Sequence, residues 1–212
     1  MNGARATAIG AAILVVLALA AFALQNVSTQ DEREGPYAFA VGDHKLSLPS
    51  GYMRPASDDG AVELAAFFPT FSPAGRFDDI DAQTDLDDRF QRLVFLELRP
   101  ADAKVDPAER VSRLYLRFLS ETAWSHPGGL IARAFEPASP YEGDELFFTP
   151  PDGREFAARC SAGGPVRKTP NTCIAAVRSG DIDAQLRFSA ALLSEWPKLM
   201  EGARGLIEAA RR

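Results

Sequence analysis

Two histidines, His44 and His126, are the side chains best suited to act as a general base near neutral pH. A serine hydrolase would combine one of them with an orienting acid and with a serine on a sharp glycine-rich elbow. The chain contains no G-x-S-x-G sequence that would form such an elbow. His44 lies in a predicted hairpin turn and His126 in a turn predicted to end a helix. We therefore predict no catalytic residue, and an envelope hydrolase with an unrecognised site is the alternative.

A run of aspartates has the residue type that could supply oxygen ligands for a hard cation such as Ca²⁺. The run comprises Asp78, Asp79, Asp81, Asp85, Asp87 and Asp88. With Asp79 as the first position of a calcium loop, Thr84 stands where the sharp turn needs glycine. Phe90 then stands where a bidentate glutamate is needed. We predict no metal site, and interpret the run as a solvated acidic loop.

The same irregular span, residues 69–88, is the predicted contact surface for a partner. A loop of this length without a secondary-structure pattern is typically functional or disordered. Its negative charge would attract a cationic protein, and the flanking phenylalanines could serve as apolar anchors. The predicted contact residues are Phe68, Phe71, Asp78, Asp79, Asp81 and Asp85.

The only two cysteines, Cys160 and Cys173, are separated by twelve residues rich in Gly, Pro, Ser and Thr. A metal site needs more ligands, and a redox pair of the C-x-x-C type has a different spacing. In an exported chain the pair predicts a structural disulfide. Closing a loop of about 14 residues would stabilise the fold by about 3 kcal/mol in the chain-entropy model.

Phosphate-binding and nucleic-acid-binding functions are disfavoured by composition and motif. Neither G-x-G-x-x-G nor G-x-x-x-x-G-K-[ST] occurs, so nucleotide enzymes are improbable and no cofactor is predicted. The formal net charge is -6 and no Lys/Arg stripe interrupts the acidity, which disfavours nucleic acid as a partner.

Residues 8–24 form an N-terminal apolar segment of seventeen positions without a charge. The segment is apolar all round, as expected for a helix in lipid rather than in a protein core. Arg5 precedes it and Asp31 and Glu32 follow, which predicts that the rest of the chain lies outside the cytoplasm. We predict a single-pass anchor in a bacterial inner membrane, with the domain in the periplasm. The alternative is a signal peptide cleaved near Ala21-Phe22-Ala23, which would release the domain into the periplasm.

The elements that would position these residues follow from periodicity and turn signals. A polar tether over residues 25–36 is followed by a β-hairpin, residues 37–41 and 45–48, and by strands within 61–68 and 92–98. Asp106 and Pro107 predict the start of an amphipathic helix that ends at His126-Pro127-Gly128-Gly129. Four strands, residues 145–149, 154–160, 173–178 and 183–189, then predict a meander. Ser194 predicts the start of an amphipathic C-terminal helix.

These elements predict an α+β fold: an antiparallel sheet, made of a hairpin and a four-strand meander, packed by two amphipathic helices. The predicted organisation is an N-terminal signal or transmembrane helix (1–24), a tether (25–36) and one extracytoplasmic domain (37–212). The predicted function is binding or structural rather than catalytic. One form of it is the inhibition of an envelope enzyme or toxin by docking.

The anchor prediction concerns where the protein is found. A reporter that is active only outside the cytoplasm, fused after Arg212, should be active, and most of the fusion should fractionate with membranes because residues 8–24 remain attached. The measurement is reporter activity together with N-terminal sequencing of the protein in each fraction. A mature protein that begins at Leu24 in the soluble fraction would contradict the anchor and leave export intact.

Overall fold

Most of the chain folds as antiparallel strands. The computed structural model describes residues 35–54, 61–75, 86–161 and 171–212. The strands within these ranges are β1 (Pro36–Val41), β2 (His44–Pro49), β3 (Val62–Phe67), β4 (Ser72–Pro73), β5 (Leu93–Pro100), β6 (Leu119–His126), β7 (Leu130–Phe135), β8 (Asp144–Phe148), β9 (Ala157–Ser161), β10 (Thr172–Ser179) and β11 (Ile182–Ser189). Two α-helices accompany them, α1 (Leu86–Arg92) and the C-terminal α2 (Trp196–Ala210).

The strands form two sheets. β1 and β2 make the predicted hairpin, with Gly42 and Asp43 in its turn, so His44 is the first residue of β2 rather than a turn residue. The other nine strands form one sheet in the order β4-β3-β5-β11-β10-β9-β8-β7-β6. Strands β6 to β11 are neighbours in chain order, so the meander has six strands instead of the predicted four. A mostly antiparallel sheet with a C-terminal helix is an α+β kind of fold, as expected.

The first predicted helix is much shorter than expected. Asp106 caps it as predicted, because its carboxylate accepts a hydrogen bond from the Ala108 N–H at 2.9 Å. The helical segment then runs from Pro107 to Phe118 in short 3₁₀ and π turns, and β6 begins at Leu119. The residues after Leu119 include Ser, Thr and Trp, which have only moderate helix propensity and pair here with β7. The prediction of a helix up to His126 was therefore wrong.

Helix α2 buries one face against the nine-stranded sheet. In the predicted apolar stripe Trp196 is partly buried, and the other side chains are no more than 5% exposed: Leu199, Met200, Ala203, Leu206, Ile207 and Ala210. The expected cap at Ser194 is absent, because residues 190–195 form a 3₁₀ turn, in which the Ser189 hydroxyl accepts a hydrogen bond from the Ala191 N–H. The helix therefore begins at Trp196, with Pro197 in its first turn, where the missing N–H costs no hydrogen bond.

A second, smaller core lies between the segment 107–118 and strands β7 and β8. It contains Val111, Tyr115, Leu119, Phe135, Leu146 and Phe148. The ring of Tyr115 meets the rings of Phe135 and Tyr141 edge to face, with centroids 5.6 and 5.3 Å apart. The apolar positions predicted for the first helix thus belong to this core, with Leu114 and Phe118 only partly buried, although the element that carries them is short.

Helix α2 also packs against the turn after β3. Phe71 has a φ of 52° and its ring lies over Gly202. A Cβ added at Gly202 would be 2.1 Å from Cε2 of Phe71, so only glycine allows this contact. A Cβ added at Gly205, one turn further along the helix, would meet no atom within 4 Å.

The two cysteines lie opposite each other on β9 and β10. Their sulfur atoms are 2.02 Å apart, so the pair is positioned for the predicted disulfide. Both residues are buried, at 3% and 0% exposure, and face the core that α2 covers.

The predicted membrane segment, residues 8–24, lies outside the described residues. Within the described ranges, no helix combines the length and the apolar character needed to cross a bilayer. Residues from Tyr37 to Arg212 form one compact unit.

Two glycine substitutions on α2 should have opposite effects on stability. Gly202→Ala should destabilise the fold by about 1–3 kcal/mol, because the new methyl group overlaps the Phe71 ring. Gly205→Ala should be neutral or stabilise by up to about 1 kcal/mol, because alanine favours helix and meets no neighbour. Urea denaturation of both variants beside the wild type measures the difference. Equal free energies of unfolding for the two variants would contradict the described packing of Phe71.

Candidate interaction surface

His44 belongs to an exposed ionic cluster at one end of the sheet. Its Nε2 lies 2.9 Å from Oδ2 of Asp181, in the turn between β10 and β11. Arg211, just after α2, also pairs with Asp181 and donates to the carbonyl of Ser179 at 3.1 Å. The hydrogen bond from Arg211 lowers the pKa of Asp181, because it stabilises the charged form of the carboxylate. The cluster therefore fastens the β1–β2 hairpin and the chain end to the β10–β11 turn.

The His44 cluster has the residue types of a catalytic triad without its connections. The buried hydroxyl of Ser179 donates to the carboxylate of Glu208 and not to His44. Within the described part of the chain, no serine hydroxyl is hydrogen-bonded to either histidine. A histidine that orients no nucleophile does not form the arrangement that acyl transfer needs.

His126 is placed for packing rather than for proton transfer. Its Nδ1 lies 3.0 Å from the carbonyl oxygen of Pro127. Its ring meets the ring of Phe147 edge to face, with centroids 4.9 Å apart. No described carboxylate forms an ion pair with it. Neither histidine therefore has both partners of a general base.

The phenylalanines predicted as partner contacts lie in the core. Phe68 is 9% exposed and Phe71 is 5% exposed. Phe68 follows β3, and Phe71 fills the space over Gly202 of α2. Both rings already bury their apolar surface inside the fold, so docking of a partner would bury little more of it. Neither ring can act as an exposed anchor in this conformation.

Four aspartates of the predicted contact surface, Asp78, Asp79, Asp81 and Asp85, lie outside the described residues. Asp88 of the same run is described, and it lies 3.4 Å from the Arg92 guanidinium on the exposed side of α1. Within the ranges that the structure describes, no three His, Cys, Asp or Glu side chains are grouped closely enough to hold a metal ion.

The two edges of the nine-stranded sheet differ in how they are protected. β4 is two residues long and contains Pro73, which lacks an N–H, so this edge offers little backbone for pairing. β6 is eight residues long and contains no proline. Between Leu119 and Ala123 the pairing of β6 with β7 is irregular. There the Arg133 side chain donates hydrogen bonds to the carbonyls of Leu119 and Ser120. From Ala123 to His126 the strand pairs regularly with β7, and no described strand covers its other side.

Exposed apolar side chains lie on and just before this edge strand. Trp124 is 39% exposed and Leu116, at the end of the short-helix segment, is 53% exposed. Exposed tryptophan beside unpaired backbone is a common feature of protein contact surfaces. Sequence reasoning missed this surface because it assigned β6 to a helix. The alternation of Thr122, Trp124 and His126 with smaller residues was the available signal.

Comparison with known proteins gives a fold but no family. No protein-family model and no curated protein matches the chain. An immunity protein of the Stenotrophomonas maltophilia type IV secretion system has a similar structure, with a TM-score of 0.59 at 14% identity, over 84% of this chain and 93% of that chain. The iron-regulated outer membrane lipoprotein FrpD of Neisseria meningitidis gives a TM-score of 0.47 at 10% identity over the same shares. The chain therefore shares its fold with the immunity protein.

Proposed function

We propose that this chain is a non-catalytic binding protein of the bacterial envelope, which inhibits an enzyme or toxin by docking on it. The observation that carries the proposal is the state of the two histidines. Each is held by contacts that serve packing or an ion pair, and neither reaches a described nucleophile. What the described surface offers is an unpaired strand edge with an exposed tryptophan, which suits contact with another protein.

The fold shared with the immunity protein supports the binding role in this proposal. The structural neighbour with the higher TM-score is described as an immunity protein of a type IV secretion system. Extending that role to this chain predicts a protein partner rather than a small substrate.

The proposed address follows from the N-terminal sequence. We place the domain in the periplasm, anchored in the inner membrane by residues 8–24, with release after signal cleavage as the alternative. An oxidising compartment agrees with the cysteine pair on β9 and β10, because disulfides persist outside the cytoplasm.

The proposed contact surface remains the acidic segment, residues 69–88, with its aspartates as contacts and without Phe68 and Phe71. Its aspartates would attract a cationic protein and speed the encounter. The exposed edge of β6 is the second surface that a partner could use, because a partner strand can extend the sheet there. The two candidate surfaces consist of different residues, so variants can test them separately.

The proposed function is tested by isolating a partner and measuring its activity. The tagged full-length chain is expressed in its own host and purified from membranes with the proteins bound to it. The purified chain should then reduce the enzymatic or toxic activity of that partner in proportion to the complex formed. A partner whose activity is unchanged by saturating amounts of the chain would contradict an inhibitory role.

Neutralising the acidic segment tests how the partner is attracted. Changing Asp78, Asp79, Asp81 and Asp85 together to Asn should slow association with the partner and flatten the dependence of the rate on salt, because the local negative charge is lost. Thermal stability should not fall. Association rates at several salt concentrations, measured by surface plasmon resonance, give the comparison. Rates equal to those of the wild type would show that the segment is solvated surface, and would direct attention to the β6 edge.

Changing both histidines separates binding from hydrolysis. His44→Gln combined with His126→Gln should leave inhibition of the partner largely unchanged, because binding needs no general base. The cost in stability should stay within about 0.5 kcal/mol, since both side chains are partly solvent-exposed. Circular dichroism verifies the fold and the inhibition assay measures function. Loss of function in a folded variant would favour the hydrolase alternative.

A further inference from the structure

A cleft of about 210 Å³ opens between the helical segment 107–118, the turn before β9 and the middle of β10. It exists because β9 and β10 pair over only part of their length. Their register ends at Ala158 opposite Ala175, while β10 continues to Ser179. The second half of β10 therefore forms one wall of the cleft instead of pairing with a strand on that side.

Arginines surround the mouth of this cleft. Arg110, Arg154 and Arg204 line it from three different elements: the helical segment, the turn before β9 and α2. Arg204 is exposed and Arg110 is half-buried, and neither forms an ion pair with a described residue. Arg154 reaches Glu109 only at 3.8 Å. Arg178 also lines the cleft, but Asp183 and two loop carbonyls already occupy its guanidinium.

Two acids line the same cleft and only partly offset this charge. The carboxylate of Asp106 already accepts the hydrogen bond that caps the helical segment. Glu155 is exposed to solvent. The cleft is therefore a site of positive charge on a chain whose formal net charge is -6. Guanidinium groups in such an arrangement match carboxylates through charge-assisted, often bidentate, hydrogen bonds.

The inner part of the cleft is apolar. Phe156, Val177 and Met200 line it and are no more than 3% exposed. The cleft volume is several times the volume that one water molecule takes up in the liquid, about 30 Å³. It is smaller than typical pockets for drug-sized ligands, which measure about 300–1,000 Å³. A carboxylate on a short apolar stem, of the size of one amino-acid residue, fits both the rim and the inner surface.

We propose that this cleft binds an organic carboxylate of amino-acid size, with Arg110 and Arg204 holding the carboxylate and the apolar inner surface holding its stem. Such a group is present at the C-terminus of a peptide that ends in an apolar residue, and on a glutamate side chain. The site is independent of the proposed inhibitory function, because it is defined by the chain alone and is tested without a partner.

Saturation-transfer NMR on the full-length protein tests the site with three soluble probes. N-acetylleucine carries a terminal carboxylate, and the α-amide of N-acetylglutamate carries only a side-chain carboxylate. N-acetylleucinamide has the apolar stem and no charge. At least one of the two carboxylates should give a transfer signal that the amide does not give, and added salt should weaken that signal. Which carboxylate gives it distinguishes a chain terminus from an acidic side chain.

Matched variants assign the signal to the cleft. Arg110→Gln combined with Arg204→Gln should weaken binding by about tenfold or more, because charge-assisted hydrogen bonds are lost. Arg187→Gln serves as the control, since Arg187 is an exposed arginine of β11 that does not line the cleft. Circular dichroism shows that each variant is folded. A signal from N-acetylleucinamide as strong as that from either carboxylate, no signal from either carboxylate, or an unchanged signal in the folded double variant would overturn the proposal.

Discussion

The packing of helix α2 on one face of the nine-stranded sheet is the interaction on which the rest of the structure depends. Its buried stripe meets side chains from the inner face of the sheet, and Phe71 from the turn after β3 closes over Gly202. Burying such apolar side chains contributes about 1.5–3 kcal/mol for each large residue. Because the apolar stripe of α2 and the ring of Phe71 are used for the core, they are not exposed to a partner in this conformation.

The same packing determines which surfaces remain available. The segment 107–118 covers the other face of the sheet over β7 and β8, so the second core closes that part. The partial pairing of β9 with β10 then leaves the arginine-lined cleft at the border of this segment. The last strand of the sheet, β6, keeps one side unpaired among the described residues. The described surface therefore keeps one open strand edge and one arginine-lined cleft.

Sequence patterns predicted the elements whose periodicity is strong and local. The stripe of α2, the β1–β2 hairpin, strands β8 to β11 and the positioning of Cys160 opposite Cys173 agree with expectation. The helix predicted up to His126 was wrong because tertiary pairing with β7 overrides a weak helical pattern after Leu119. Phe71 was predicted to be an apolar anchor beside the acidic span, whereas its burial depends on a glycine 131 residues later in the chain. The cleft depends on where two strands separate, which no local pattern indicates.

The central claim is that the chain acts by binding a protein rather than by catalysis. The most direct measurement begins with in-cell crosslinking of the tagged full-length chain in its own host, and purification under denaturing conditions then identifies the partner. The same partner is prepared separately in native form, and its activity is measured free and in complex with the chain. The account predicts one discrete adduct, whose protein component is active when free and inactive in the native complex at one-to-one stoichiometry. A chain that is recovered only as uncrosslinked protein, or a partner that is equally active in the complex, would contradict it.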